Sequence, residues 1–306
     1  MLNWDRGILM IIYVDFNPIL SIKVYSKDNI NINKLDYELG SSIYHSSRLT
    51  KFITSDVKYF FLKGGFSGIK IQNLLSSFNV DFTSIEIQDE NRIDFQFNEK
   101  NILGISPRIR LLEINLSMDS LFNYDRSDHL FCSIIDINDF IRYKDLYETY
   151  FKEVNFYNNK LILQTIGISI NEVIKYQPFF WILDATEVEN FHKIKFESED
   201  QLLNATDVII SAGIKHLLLT KGNILIYTNG KTSYKINSNT DINNVLLNRL
   251  SAVISGIAGA INQNCDIITS LRLAMAFHNI NIDNNFVNQE IINKLIDRCE
   301  IIELKN

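Results

Sequence analysis

Residues 58–78 read KYFFLKGGFSGIKIQNLLSSF, and the fold is decided there. Positions 58–62 set three aromatics and a leucine behind one lysine, the composition of a core strand. Gly64-Gly65-Phe66-Ser67-Gly68 predicts a tight loop. After it, Ile69, Ile71, Leu74, Leu75 and Phe78 fit one face of a helix. Strand, glycine loop and amphipathic helix make half of a βαβ unit, the building block of a parallel sheet with helices on its faces.

Working outward, further strands are expected at 8–15 (closed by Asn17-Pro18), 129–135, 160–165, 179–183 and 216–220. Helical patterns occupy 46–53, 141–154, 205–212, 245–261 and 267–277. Residues 224–227 and 232–236 flank Asn229-Gly230, a dipeptide favoured in two-residue hairpins, and 295–304 closes the chain as a strand or a short helix. Four stretches, 21–25, 35–39, 92–97 and 109–116, alternate apolar with polar residues and have an exposed face, which does not suit a doubly covered parallel sheet. The expectation is an α/β fold, one three-layer domain over 10–306 with a mostly parallel central sheet. A small β lid carries strands within about 21–40 and 90–116.

Of 306 residues, 46% are hydrophobic and 22% charged, the balance of an ordinary globular protein. A net charge of −6 without a Lys/Arg block argues against a nucleic-acid or anionic-membrane partner. The longest apolar runs fall short of the ~20 residues of a membrane span, and no secretory signal is expected. Cys132, Cys265 and Cys299 are scattered, which argues against a disulfide framework or a structural zinc site and suits a reducing cytoplasm. The dispersed histidines form no H-x-x-x-H pair, and the serines form no G-x-S-x-G elbow. Only 12 glycines are available for loops that cradle phosphates.

Several segments carry a family resemblance in a shared order. MIIYVDFNP at 10–18 stands where a strand would run into L-N-P-x-x-D. Gly64-Gly65-Phe66-Ser67-Gly68 is similar to G-G-x-x-G, and Asn91-Arg92-Ile93-Asp94 to T-R-I-N. PFFWILDATEV at 178–188 is similar to P-F-L-I-K-P-N-x-E-E-L, and residues 249–261 to G-A-G-D-S with its small-residue helix. Together they resemble the ribokinase-like PfkB carbohydrate kinases, in the branch of 1-phosphofructokinase and tagatose-6-phosphate kinase, with degenerate catalytic motifs. Met10 falls where members of that family begin, so residues 1–9 are expected to be an extension or a misassigned start.

The resemblance implies a ribokinase-like fold and transfer of the ATP γ-phosphoryl group to a sugar phosphate with Mg²⁺. It places Leu250 where the family has its aspartate base, with Leu247, Asn248 and Arg249 in place of the preceding G-A-G. Leucine accepts no proton, and residues with side chains bring their backbone less close to a phosphate than glycines do. Two alternatives are open. One is a shift of one or two residues in the alignment, although the nearest upstream acid, Asp241, lies far outside it. The other is Arg249 as a phosphate clamp that aids binding without supplying a base. On the sugar side the resemblance implies Asn17, Ser21 (at the aspartate of N-P-x-x-D), His45, Arg48, Gly65 and Arg92, the last reaching the sugar phosphate. His45 and Arg48 either donate to an anion or lie on a solvated helix N-terminus capped by Ser41 or Ser42. On the nucleotide side it implies Asp184, Glu187, Thr220 and Gly222. Asp184 and Glu187 hold Mg²⁺ through water, Glu187 being the metal residue, or they are a helix N-cap and a first-turn acid. Thr220 touches a phosphate or belongs to a plain strand-end turn.

Three functions follow. The chain is a relative of phosphosugar kinases that has lost catalysis and acts as a ligand-binding or regulatory pseudokinase, or an active kinase with a rearranged site, or a protein-interaction module. The last rests on the lid, whose apolar faces suit a homodimer.

Overall fold

Parallel strands covered on both faces must be apolar along their whole length, and β-branched and aromatic residues fill them here. The computed structural model describes residues 10–26, 32–97, 100–122, 128–238, 246–280 and 288–304, with 26 and 246–251 described by backbone alone. In chain order the first half holds β1 (Met10–Asp15), β2 (Ile19–Ser26), β3 (Ile32–Leu39), α1 (Ser42–Thr50), β4 (Val57–Gly64), α2 (Gly65–Ser77), β5 (Phe82–Ile87), β6 (Arg92–Phe97), β7 (Lys100–Ile102) and α3 (Leu111–Phe122). Next come β8 (His129–Asp136), α4 (Ile137–Arg142), α5 (Lys144–Phe156), β9 (Lys160–Ile166), α6 (Ile170–Ile174), β10 (Phe180–Asp184), α7 (Ala185–His192) and α8 (Glu199–Ser211). The remainder is β11 (His216–Lys221), β12 (Ile224–Thr228), β13 (Ser233–Ser238), α9 (Leu246–Asn262), α10 (Ile267–His278), α11 (Gln289–Asp297) and β14 (Cys299–Leu304).

The strands form two sheets. One has ten strands in the order β14-β13-β12-β11-β10-β9-β8-β1-β4-β5, the other four in the order β3-β2-β6-β7. This is the expected α/β plan, a mostly parallel large sheet with helices around it and a small second sheet. By internal contacts the chain divides into two compact units, one from Met1–Ile12, His45–Val57 and Arg126–Asn306, the other from Tyr13–Tyr44 and Lys58–Asp125.

In the first unit β8, β9, β10 and β11 run parallel, with Ile162 opposite both Cys132 and Phe180, and Asp184 opposite Thr220. Beyond β11 the sheet continues antiparallel through β12, β13 and β14. Trp181 is fully buried and donates its indole N–H to Thr165 Oγ1 at 3.0 Å, so even the largest core side chain leaves no donor unpaired. The small residues of α9 serve close packing. A Cβ on Gly256 would lie 2.5 Å from the backbone N of Ala274, and Ser255 Oγ donates to Ser46 O at 3.0 Å while Thr50 Oγ1 donates to Ser46 O at 3.1 Å.

In the second unit β4 and β5 are parallel, and the core strand is Tyr59, Phe60, Phe61 and Leu62, all buried. In the small sheet β2 pairs antiparallel with β3 and parallel with β6, and β6 antiparallel with β7. The registers sort its side chains by face. Leu20, Ile22, Val24, Leu35, Tyr37, Leu39, Ile93, Phe95, Phe97 and Ile102 share one face; Ser21, Lys23, Lys34, Asp36, Glu38, Arg92, Asp94 and Gln96 share the other.

Some expectations are corrected. Residues 109–116 are no lid strand: Leu111–Phe122 is helical, because Ile114, Met118, Leu121 and Phe122 bury one stripe. Glu113 Oε2 caps that helix by accepting from the Arg110 N–H at 2.6 Å. The lid strands on this side therefore end at Ile102. Residues 64–68 are no separate loop, since β4 ends at Gly64 and α2 starts at Gly65. The strand β5 was not anticipated. Asn229-Gly230 does not make a two-residue turn: Thr228 pairs with Ser233 across four residues, and Asn229 Oδ1 accepts from the N–H groups of Lys231 and Thr232.

Candidate functional site

In the second unit the site residues gather after β1 and β4. Asp15 closes β1, and its buried carboxylate accepts from Ser41 Oγ, from the Tyr59 hydroxyl at 2.5 Å and from the Asn17 N–H at 3.1 Å. Burial raises the Asp15 pKa against the pull of these bonds, and burial next to Asp15 holds Tyr59 well above its ordinary range. One carboxyl thus ties the end of β1, the residue before α1 and the middle of β4. Asn17 is itself buried and donates through Nδ2 to Ser106 Oγ at 3.0 Å.

The glycines of 64–68 are explained by the chain crossing them. A Cβ on Gly64 would sit 1.9 Å from the Asp89 carbonyl, and one on Gly65 1.8 Å from Glu90 Oε2. Glu90 accepts from the N–H groups of Phe66 (3.1 Å) and Ser67 and from Ser67 Oγ at 2.5 Å, so it serves the free amides of the first turn of α2. Asn91 completes the clasp, accepting from the Gly64 N–H at 2.6 Å and donating to Leu62 O at 2.9 Å. Arg92 follows on β6 and forms a bidentate pair with Asp94, Nε to Oδ1 at 2.7 Å and Nη2 to Oδ2 at 2.9 Å. Ser21 stands opposite Asp94 in the β2–β6 register.

His45 and Arg48 lie with Ser42 on the less buried stripe of α1, while Ser46, Ser47 and Thr50 are fully buried on the other side. Ser41, proposed above as a cap, directs its hydroxyl to Asp15.

In the first unit the residues that the resemblance assigned to a nucleotide meet at the carboxyl ends of β9, β10 and β11, where ligands of open α/β sheets are held. Asp184 ends β10 and caps α7, accepting from Thr186 N–H at 2.9 Å, and Thr220 Oγ1 donates to its other oxygen at 3.2 Å. Glu187, in the first turn of α7, accepts from the Gly167 N–H beyond β9. Its Oε2 is buried with no hydrogen-bond partner among the described residues. Burial, opposed by the Gly167 bond and aided by the Asp184 charge, pushes the Glu187 pKa up to about 7. Gly222 takes φ +59 in the turn between β11 and β12, with open space where a Cβ would be. Arg249 and Leu250 fall in the opening helical turns of α9, which begins at Leu246; their side chains and Asp241 lie outside the described residues.

No protein-family model matches the chain. Among curated proteins it is similar to 1-phosphofructokinase of Borreliella burgdorferi, 23% identical over 225 residues that cover 70% of this chain and 71% of the relative. A solved Staphylococcus aureus structure described as a phosphofructokinase superposes with a TM-score of 0.84 at 16% identity, over 97% of this chain and 100% of that one. Escherichia coli phosphofructokinase-2 in complex with fructose-6-phosphate gives 0.76 at 11% identity, over 94% of this chain and 98% of that one. The fold is that of the ribokinase-like PfkB kinases.

On that PfkB fold, the structure brings Asp184, Glu187 and Thr220 together in one unit, and Asn17 beside Asp15 in the other. Arg92 has an internal counter-ion and Gly65 an internal carboxylate against it. Sequence reasoning missed Asp15, Glu90, Asp94 and Gly167. Asp94 had a readable signal, since residues two apart on a strand share a face. Apart from the Asn17 N–H on Asp15, the partners of Asp15, Glu90 and Gly167 are 20 to 44 positions away, and no local pattern announces them.

Proposed function

We propose that the chain is a sugar- and nucleotide-binding relative of the PfkB phosphosugar kinases, working in the cytoplasm, that has lost the family's proton-transfer step. What supports this reading is Leu250, which the motif resemblance places at the position of the family's base. A kinase of this kind needs a group within hydrogen-bond reach of the sugar hydroxyl to take its proton, and an aliphatic side chain takes none. The nucleotide side fits a bound cation better. Glu187 Oε2 is an orphaned buried carboxylate oxygen, the group that would hold a water of Mg²⁺, while Asp184 and Thr220 are already engaged with each other. Mg²⁺ would neutralise nucleotide phosphate charge there.

Calorimetric titration with an Mg–ATP analogue, alone and with fructose 1-phosphate, fructose 6-phosphate or tagatose 6-phosphate, tests the reading. Binding without turnover is the expected result. Steady phosphorylation of any of these sugars would replace it with the second reading, a kinase with a rearranged site, which the retained Glu187 oxygen favours. Leu250→Asp is expected to restore measurable transfer. A variant that binds both ligands and remains inert would show that more than the base is gone. The apolar face of the small sheet suits a second copy of the chain, which we include as a homodimer; E. coli phosphofructokinase-2 has a tetrameric inhibited form.

A further inference from the structure

The polar face of the small sheet carries three cations among the described residues, and each has its own carboxylate. Lys23 pairs with Glu38 at 2.8 Å, Lys34 with Asp36 at 2.7 Å and Arg92 with Asp94 at 2.7 Å. The Arg92–Asp94 pair is the most enclosed, with side chains 17% and 19% exposed. It is also fastened from below: Gly104 donates its N–H to Asp94 Oδ1 at 2.8 Å. Where the T-R-I-N motif carries a neutral amide, this chain carries a negative charge.

A phosphate monoester is a dianionic acceptor without donors. To reach Arg92 it must bring its charge up to the Asp94 carboxylate, which repels it and competes with it for the guanidinium. A sugar hydroxyl meets no such obstacle. Being neutral, it accepts from a guanidinium N–H that Asp94 leaves unused and donates to the carboxylate without repulsion. From this we infer that Asp94 is a specificity-determining residue, which makes this face prefer a sugar presenting hydroxyls to one presenting a phosphate. The inference rests on the proposed sugar binding and names its ligand class.

Titration of the full-length chain with fructose, tagatose and ribose, each beside its phosphate ester, tests this directly. The expected result is at least about tenfold tighter binding of one or more free sugars than of their esters, and an Asp94→Asn protein whose preference shifts at least about tenfold towards the esters. Asn keeps an oxygen for the Gly104 N–H, and if that variant fails to fold the wild-type ratio decides alone. Wild-type protein that prefers the esters overturns the inference and leaves sugar binding intact. An unshifted preference in Asp94→Asn overturns the assignment to Asp94. Failure of every sugar and ester to bind either protein overturns the sugar-binding reading itself.

Discussion

The His216 ring lies against Phe180 and Tyr227, with centroids at 5.7 and 6.0 Å, and its Nδ1 is 2.7 Å from the Tyr227 hydroxyl. Burial, helped by Lys215 and Lys160, lowers its pKa from 6.5 to about 4. The folded protein therefore keeps it neutral where the unfolded chain takes up a proton. Its contribution to stability is whole above pH 6.5 and is lost as pH falls from 6.5 towards 4, on the order of 3 kcal/mol in all. Urea unfolding across that window should show the loss, and His216→Phe should flatten it; an unchanged slope would refute the assignment. The sequence shows His216 only as a histidine without a metal-binding neighbour, because Tyr227 reaches it from the adjacent antiparallel strand. Arg92 teaches the converse. Its motif was legible, and what changes its chemistry stands two residues further on.

Element identity was legible wherever a period ran long enough to be unambiguous. The glycine-flanked strand and helix at 57–77 and the helices near 245–261 and 267–277 were read from sequence, apart from their ends. At 109–116 a window of eight residues fits a period of two, and only the next turn, with Met118, Leu121 and Phe122, reveals 3.6. The strand β5, FTSIEI, has too little apolar contrast to announce itself. Small residues in α9 looked like the sequel to a phosphate loop, and structure gives them a packing reason. Gly256→Ala should therefore destabilise by about 1–3 kcal/mol through contact with the Leu273–Ala274 backbone, measured as a fall in urea midpoint. Glu113→Ala should cost about 1–2 kcal/mol, because it frees the N–H groups of Arg110 and Gln88 at once.

At the scale of the whole molecule, no helix among the described residues is long and apolar enough to cross a membrane. The apolar face of the small sheet leaves Leu35 41%, Phe95 39% and Ile102 59% exposed. If a second copy covers it, light scattering should give a dimer mass that Phe95→Lys halves; a monomer at high concentration would remove the homodimer. Chain order has a consequence of its own. Thr50 and Ser255, which meet at 3.4 Å, are 205 positions apart. A ribosome adding about 5–20 residues per second needs roughly 10–40 s to make the second after the first. Everything from Tyr13 to Asp125 that the second unit needs has emerged by then. The buried side of α1 that meets α9, with Leu49 beside Ser46, Ser47 and Thr50, must wait through that delay, and the three hydroxyls keep part of that nascent surface wetted.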